Sequence, residues 1–350
     1  MAESFRSFDD SSDDDFADYL DAVYTPEELR PTWQEWLKHS ILFFLTLVTT
    51  TIAGLLPPFG SKLDFPDVPV PSHWIEWLAF VPYFYGHFFA IVLSEITANP
   101  TILFDGLTFS LSLLAILTAH EFGHYIACRL YRVKSTLPYF IPTPPLIGPA
   151  GTLGAVIRIQ SPMPSQRAIF DIGVAGPLAG FAVIVPLMIL GLATMQIAPP
   201  SVDATGGLTF ADPLVAKLFG SFLGVDPAHG VINPFYAAAW LGTLITSLNL
   251  LPAGQLDGGH AVFAVLGERA HFWIGRLAFV AMVILTILGW ELYGSPSTLL
   301  FTILLGALLR LGHPPPLTDE PLNSKRRAIA FFTLIVFILS FMPFPLQISP

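Results

Sequence analysis

The sequence predicts an all-α polytopic membrane protein, a bundle of apolar helices, and three observations carry that prediction. The chain of 350 residues is 53% hydrophobic and 12% charged with mean hydropathy +0.64, whereas soluble domains carry about 25% charged residues. The charge is unevenly placed: residues 1–33 hold ten acids and two arginines, leaving 16 acids and 14 bases for the other 317 residues. Several apolar runs also approach or exceed the roughly 20 residues needed to cross a hydrocarbon core. A body so poor in charge excludes nucleic-acid binding through a basic surface. A single cysteine, Cys128, excludes a disulfide scaffold.

Taken in order, residues 1–33 combine Asp9, Asp10 and Asp13 to Asp15 with serines and lack both a basic segment and an apolar core. They read as a disordered acidic tail rather than a signal or transit peptide. An N-terminal membrane region, 34–106, holds a span at His39–Leu56 and a second run at Trp74–Leu93. The second run is interrupted by Glu76, Pro82 and His87 and reads either as a span or as an interfacial segment. A core at 107–266 contains the spans Leu107–Ala127, Ile169–Met195 and Ala237–Leu251 with its continuation. The loop Ala198–Asn233, with Pro199, Pro200, Gly206 and Gly207, is too short for a PDZ-type domain. Residues 267–350 add apolar runs at Phe272–Leu292, Leu299–Leu311 and Ile329–Phe344.

Orientation follows from the basic residues, which stay on the cytoplasmic side. Arg129, Arg132, Lys134, Arg158, Arg167, Arg269, Arg276, Arg310, Lys325, Arg326 and Arg327 fall on one face of this topology and Lys217 on the other. The span Leu107–Ala127 therefore runs from outside to cytoplasm. The N-terminus is cytoplasmic only if Trp74–Leu93 does not cross.

Ionisable residues inside a span are costly and mark function. His120-Glu121-Phe122-Gly123-His124 lies near the cytoplasmic end of such a span. Histidines at i and i+4 share a helix face and reach one metal ion, while Glu121, offset by about 100°, stands beside the ion as a general base. A buried, hydrogen-bonded histidine pair is the structural alternative. A catalytic zinc wants a third protein ligand. Asp257, in the Gly- and Pro-broken stretch Asn249–His260, supplies one at the right depth; His260 and Glu268 are further candidates, and Asp257 also reads as a helix cap. Cys128, 40° off the histidine face, reads as packing, and His39, His73 and His87 read as interfacial or hydrogen-bonded residues.

The two motifs, H-E-F-G-H at His120–His124 and N-x-x-P-x-x-x-L-D-G at Asn249–Gly258, resemble those of the site-2 protease family of intramembrane zinc metalloproteases. Gly148–Ile159 resembles that family's re-entrant β-hairpin, and Asp171–Gly180 resembles the following helix of the subgroup lacking a PDZ domain. The resemblance implies one zinc ion per chain bound by His120, His124 and Asp257, with Glu121 activating water and Asn249 holding substrate or the tetrahedral intermediate. It also implies a hairpin next to the active site. Thr152, Leu153, Gly154, Ala155 and Val156 are then a strand edge onto which an unwound substrate pairs, the alternative being a structural plug. Gly176 and Gly180 read as close helix packing.

The function this predicts is intramembrane hydrolysis of a peptide bond in or near the transmembrane segment of a membrane-protein substrate. The expected setting is a bacterial or archaeal cell membrane, with the active site toward the cytoplasm. A catalytically silent scaffold for transmembrane helices and an ion transporter are the alternatives; the transporter needs no zinc.

Overall fold

A computed structural model of the chain describes residues 29–56, 59, 72–145, 149–197, 208–310, 316–318 and 320–348. Most of the acidic tail, Gly148 of the hairpin motif, and Pro199, Pro200, Gly206 and Gly207 lie outside these residues. Nine α-helices are described: α1 Trp33–Gly54, α2 Trp77–Ala98, α3 Thr101–Leu130, α4 Gln166–Ala193, α5 Leu214–Leu223, α6 Pro234–Asn249, α7 Asp257–Tyr293, α8 Leu299–Leu308 and α9 Ser324–Ser340. Five of them, α1 to α4 and α7, are long and apolar enough to cross a bilayer. The chain is thus a largely helical integral membrane protein, with only short antiparallel strand pairs among the described residues.

The core is built by α3, α4 and α6. Phe109, Leu113, Leu114, Ile184, Met188 and Trp240 are buried together between them. Helix starts follow capping chemistry: Ser165 accepts from Ala168 N–H to begin α4, and Asn233, ahead of Pro234, accepts from Tyr236 N–H to begin α6. Helix α6 ends at Asn249 because Pro252 lies within the next turn and cannot donate to the helix ladder. The chain re-enters helix at Asp257.

Helix α7 is two helices. Gly267 has φ 82 and ψ 174, and the chain doubles back there. His271 Nε2 lies 3.0 Å from the Gly254 carbonyl oxygen, a pairing that a straight helix from 257 to 271 would put far out of reach.

Three two-stranded sheets complete the described fold. β1 Tyr139–Pro142 pairs with β2 Thr152–Val156, with Phe140 opposite Ala155 and a register shift before Pro142. β3 Gln196–Ile197 pairs with β5 Gly230–Val231. β4 Leu208–Phe210 pairs with β6 Leu346–Ile348, near the end of the chain. One reading needs correction. The run Leu299–Leu311 yields only α8, ten residues and about 15 Å long, so it does not cross by itself. Its end backs onto the loop after α6, where Leu308 meets Gly254.

The side of the N-terminus follows from how α1 meets its neighbours. His39 Nδ1 is 2.9 Å from the Pro138 carbonyl oxygen, beyond the C-terminal end of α3. At the other end of α1, Leu55 meets Gly106 near the start of α3. Helices α1 and α3 are therefore antiparallel, and the N-terminal end of α1 lies at the end of the bundle to which α3 delivers its histidines. Helix α2, joined to α3 by Asn99 and Pro100, packs Phe88 and Val92 on Leu55, Leu56 and Ile102.

Candidate metal centre

His120 and His124 are buried on α3, at 4% and 7% exposure, and Asp257 opens α7. His120 Nε2 and His124 Nε2 are 3.2 Å apart, and each is 3.3 Å from Asp257 Oδ2. A tetrahedral ion held at about 2.0–2.1 Å needs its ligand atoms about 3.3 Å apart. Two nitrogens and one carboxylate oxygen at those separations fit zinc in a site that keeps a fourth position. Among the described residues, this is the group of His, Cys, Asp and Glu whose ligand atoms converge. Asp257 does not cap its helix through its side chain; Leu256 is the N-cap residue, and the Asp257 carboxylate faces the histidines.

The surroundings orient these groups. His124 Nδ1 donates to the Ile172 carbonyl oxygen at 2.7 Å, which leaves Nε2 as the free donor to a metal. Gly176 sits against the imidazole, and a Cβ there would overlap His124 Nε2. The small-residue spacing Gly176 to Gly180 thus serves helix approach and the histidine rings at once, since a Cβ at Gly180 would lie 3.3 Å from His120 Cβ. On the opposite wall, a Cβ at Gly258 would strike the Leu250 carbonyl, so glycine lets the Asp257 turn close on the end of α6.

Glu121 is 6% exposed with Oε1 4.0 Å from His120 Nε2, beside the ligand atoms rather than among them. The Ile157 backbone N–H, just past β2, faces the Glu121 carboxylate. Asn249, the last residue of α6, brings Nδ2 to 3.2 Å from His120 Nε2. Thr152 to Val156 form β2, with Leu153 and Val156 at 63% and 50% exposure. N–H groups alternate along a strand. Arg158 N–H bonds Thr136 Oγ1 across the hairpin, so Ile157 and Ala155 direct theirs away from β1, on the Glu121 side.

Other candidates lie apart. His260 is one turn further along α7, with its Cβ against Gly173, and Glu268 is exposed beyond the Gly267 break. Cys128 is fully buried in an apolar cluster. His39 stacks on Tyr139 with ring centroids 4.1 Å apart. Sequence reasoning missed β1, the Ile172 carbonyl and the Ile157 N–H, because backbone groups leave no residue-type signal. It also missed the Tyr131 hydroxyl, which donates to Asp171 at the C-terminal end of α3. Burial pushes that phenol up to about 12, Asp171 adding to the shift, so it remains a donor at neutral pH.

The model of peptidase family M50 matches residues 108–289. Among curated proteins, the chain is 31% identical over 239 residues to a probable chloroplastic zinc metalloprotease EGY1 of Arabidopsis thaliana, covering 66% of this chain and 41% of that one. It is 31% identical over 264 residues to a probable chloroplastic zinc metalloprotease EGY2 of Oryza sativa subsp. indica, covering 72% of this chain and 45% of the relative. The chain thus spans less than half the length of these curated relatives. No solved structure matches it.

Proposed function

The chain belongs to peptidase family M50, and from that premise we propose that it is an intramembrane zinc endopeptidase, hydrolysing a peptide bond in or near the transmembrane segment of another membrane protein. The observation that carries this reading is the convergence of His120, His124 and Asp257 at tetrahedral spacing, with Glu121 alongside. His120 Nε2, His124 Nε2 and Asp257 Oδ2 would hold one zinc ion per chain. Zinc supplies Lewis-acid polarisation of the scissile carbonyl and lowers the pKa of water.

The chain's own groups do the rest. Glu121 takes a proton from the attacking water at its carboxylate and delivers it to the leaving amine. The Ile157 N–H faces that carboxylate. Asn249 Nδ2 donates toward the carbonyl oxygen as negative charge gathers on it. A transmembrane helix hides its peptide bonds within its own ladder and must unwind before attack. The outward edge of β2, with the Ala155 N–H, is the partner proposed for the unwound segment.

Zinc retention and cleavage, measured together on purified protein, test this reading. Glu121→Gln is expected to keep zinc and lose cleavage, whereas His120→Ala with His124→Ala loses both. Ala155→Pro, which removes an edge donor, is expected to keep zinc and cut turnover at least tenfold, and Val156→Thr to be mild. Full zinc retention in the double histidine variant would overturn the site. Wild-type turnover in Ala155→Pro would make the hairpin a plug.

The charge bias of the loops supports a site facing the cytoplasm, or the compartment equivalent to it. A reporter fused after Lys134 is expected on that side, and an external reading would invert the assignment. A bacterial or archaeal cell membrane draws no support from the plant relatives, whose names place them in chloroplasts.

A further inference from the structure

His124 takes its orientation from the Ile172 carbonyl, so whatever fixes the first turns of α4 bears on the metal centre. The neighbouring residue, Asp171, is held in a polar node at the cytoplasmic end. Arg326 Nε lies 3.0 and 3.1 Å from the two Asp171 carboxylate oxygens, and Nη2 lies 2.7 Å from Oδ2. The same Nη2 donates to the Tyr131 hydroxyl at 2.9 Å, and that hydroxyl donates to Asp171. The Arg326 and Asp171 side chains are 21% and 27% exposed, so water competes only in part.

Three helices meet in this node. Tyr131 is the C-cap of α3, seven residues beyond His124 and so on the same helix face, about 10 Å away. Asp171 lies in the second turn of α4, and Arg326 in the first turn of α9, outside the family-matched residues 108–289. Cations at a helix start oppose the macrodipole, yet Lys325, Arg326 and Arg327 all stand there. Loop polarity accounts for Lys325 and Arg327; Asp171 accounts for Arg326. The chain just before α9 is fastened to the same place. Leu317 N–H bonds the Met163 carbonyl at 3.1 Å, Gln166 N–H bonds the Thr318 carbonyl at 3.2 Å, and Arg167 pairs with Glu320 at 2.9 Å.

We propose that Arg326, acting with Tyr131 and Asp171, is a positioning residue for His124: the node locks α4 onto α3, so that the Ile172 carbonyl holds the imidazole with Nε2 turned to the metal. This rests on the zinc reading above. Partners beyond the ligands commonly change metal affinity 10- to 100-fold. A fork of two donors to one carboxylate is beyond a lysine.

The test follows zinc release to a competing chelator from the full chain in detergent, and the visible spectrum of the cobalt-loaded protein. Relative to wild type, Arg326→Met is expected to bind zinc about tenfold more weakly and to shift the cobalt bands; Arg326→Lys recovers part of the affinity. Tyr131→Phe loses less, and Lys325→Met behaves as wild type. A merely structural role would lower thermal stability while leaving affinity and spectrum per folded chain unchanged. Wild-type affinity and spectrum in both Arg326→Met and Tyr131→Phe would overturn the proposal. Should Arg326→Met not insert, wild-type behaviour of Tyr131→Phe overturns it alone. A wild-type chain that binds no zinc overturns the metal reading itself, a failure seen without any variant.

Discussion

Helices α3 and α7 are similarly apolar in sequence, but the protein uses them in opposite ways. Half of the most apolar stretch of α3 is buried inside the protein, and 17% of that of α7. On α3, Leu113, Leu114 and Leu117 are buried in one cluster with residues of α4 and α6, and the polar residues Ser110, His120, Glu121 and His124 are buried too, Ser110 against Thr50 of α1. On α7, Leu277, Val280, Ile284, Ile287 and Leu288 are exposed, facing outward where only acyl chains suit them. Hydropathy therefore identifies both helices as membrane material and distinguishes neither role. The distinction lies within the apolar run: ionisable groups interrupt it on the inner helix, whereas on the outer one residues 277–290 continue it without a single ionisable group.

The largest expected break in this contrast comes from one methyl group. Gly176→Ala puts a Cβ where the His124 ring lies. Zinc affinity should fall at least 100-fold, the upper end of the range for residues that orient ligands, while the protein still inserts. Normal zinc content in Gly176→Ala would mean that the inner helices can separate without cost. A smaller effect sharpens the contrast. Leu114→Ala, in the enclosed core, should destabilise by about 2–5 kcal/mol, and Leu277→Ala, on the outer face, by less than about 1 kcal/mol, because lipid replaces the lost contacts. Equal losses in a refolding titration from mixed micelles would show that α7 is covered by protein.

The parts that carry the metal ligands were also the legible ones. His120, Glu121 and His124 stood out because ionisable groups in an apolar run have few structural uses, and Asp257 because the glycines and proline around it had to end a helix at that depth. The outer elements left weaker marks. Leu299–Leu311 reads as a span, since composition does not show that Leu308 stops against Gly254. Strand β1 passes unnoticed within a loop because Tyr139–Pro142 is too short for a periodic signal. The Arg326–Asp171 pair joins residues 155 apart in sequence, and a single sequence holds no mark of such a pairing beyond an arginine placed against its helix dipole.

The pairing of β6 with β4 has a consequence in time. Leu208 to Phe210 obtain their partners from Leu346 to Ile348, more than a hundred residues further along the chain. A ribosome working from the N-terminus delivers the histidines of α3 more than two hundred residues before that strand. During that interval the far face of the bundle is open, and newly made neighbours in the same membrane share the lateral space with a half-built bundle. Closure of that face thus waits for residues 346–348, long after the histidines of α3 have been made.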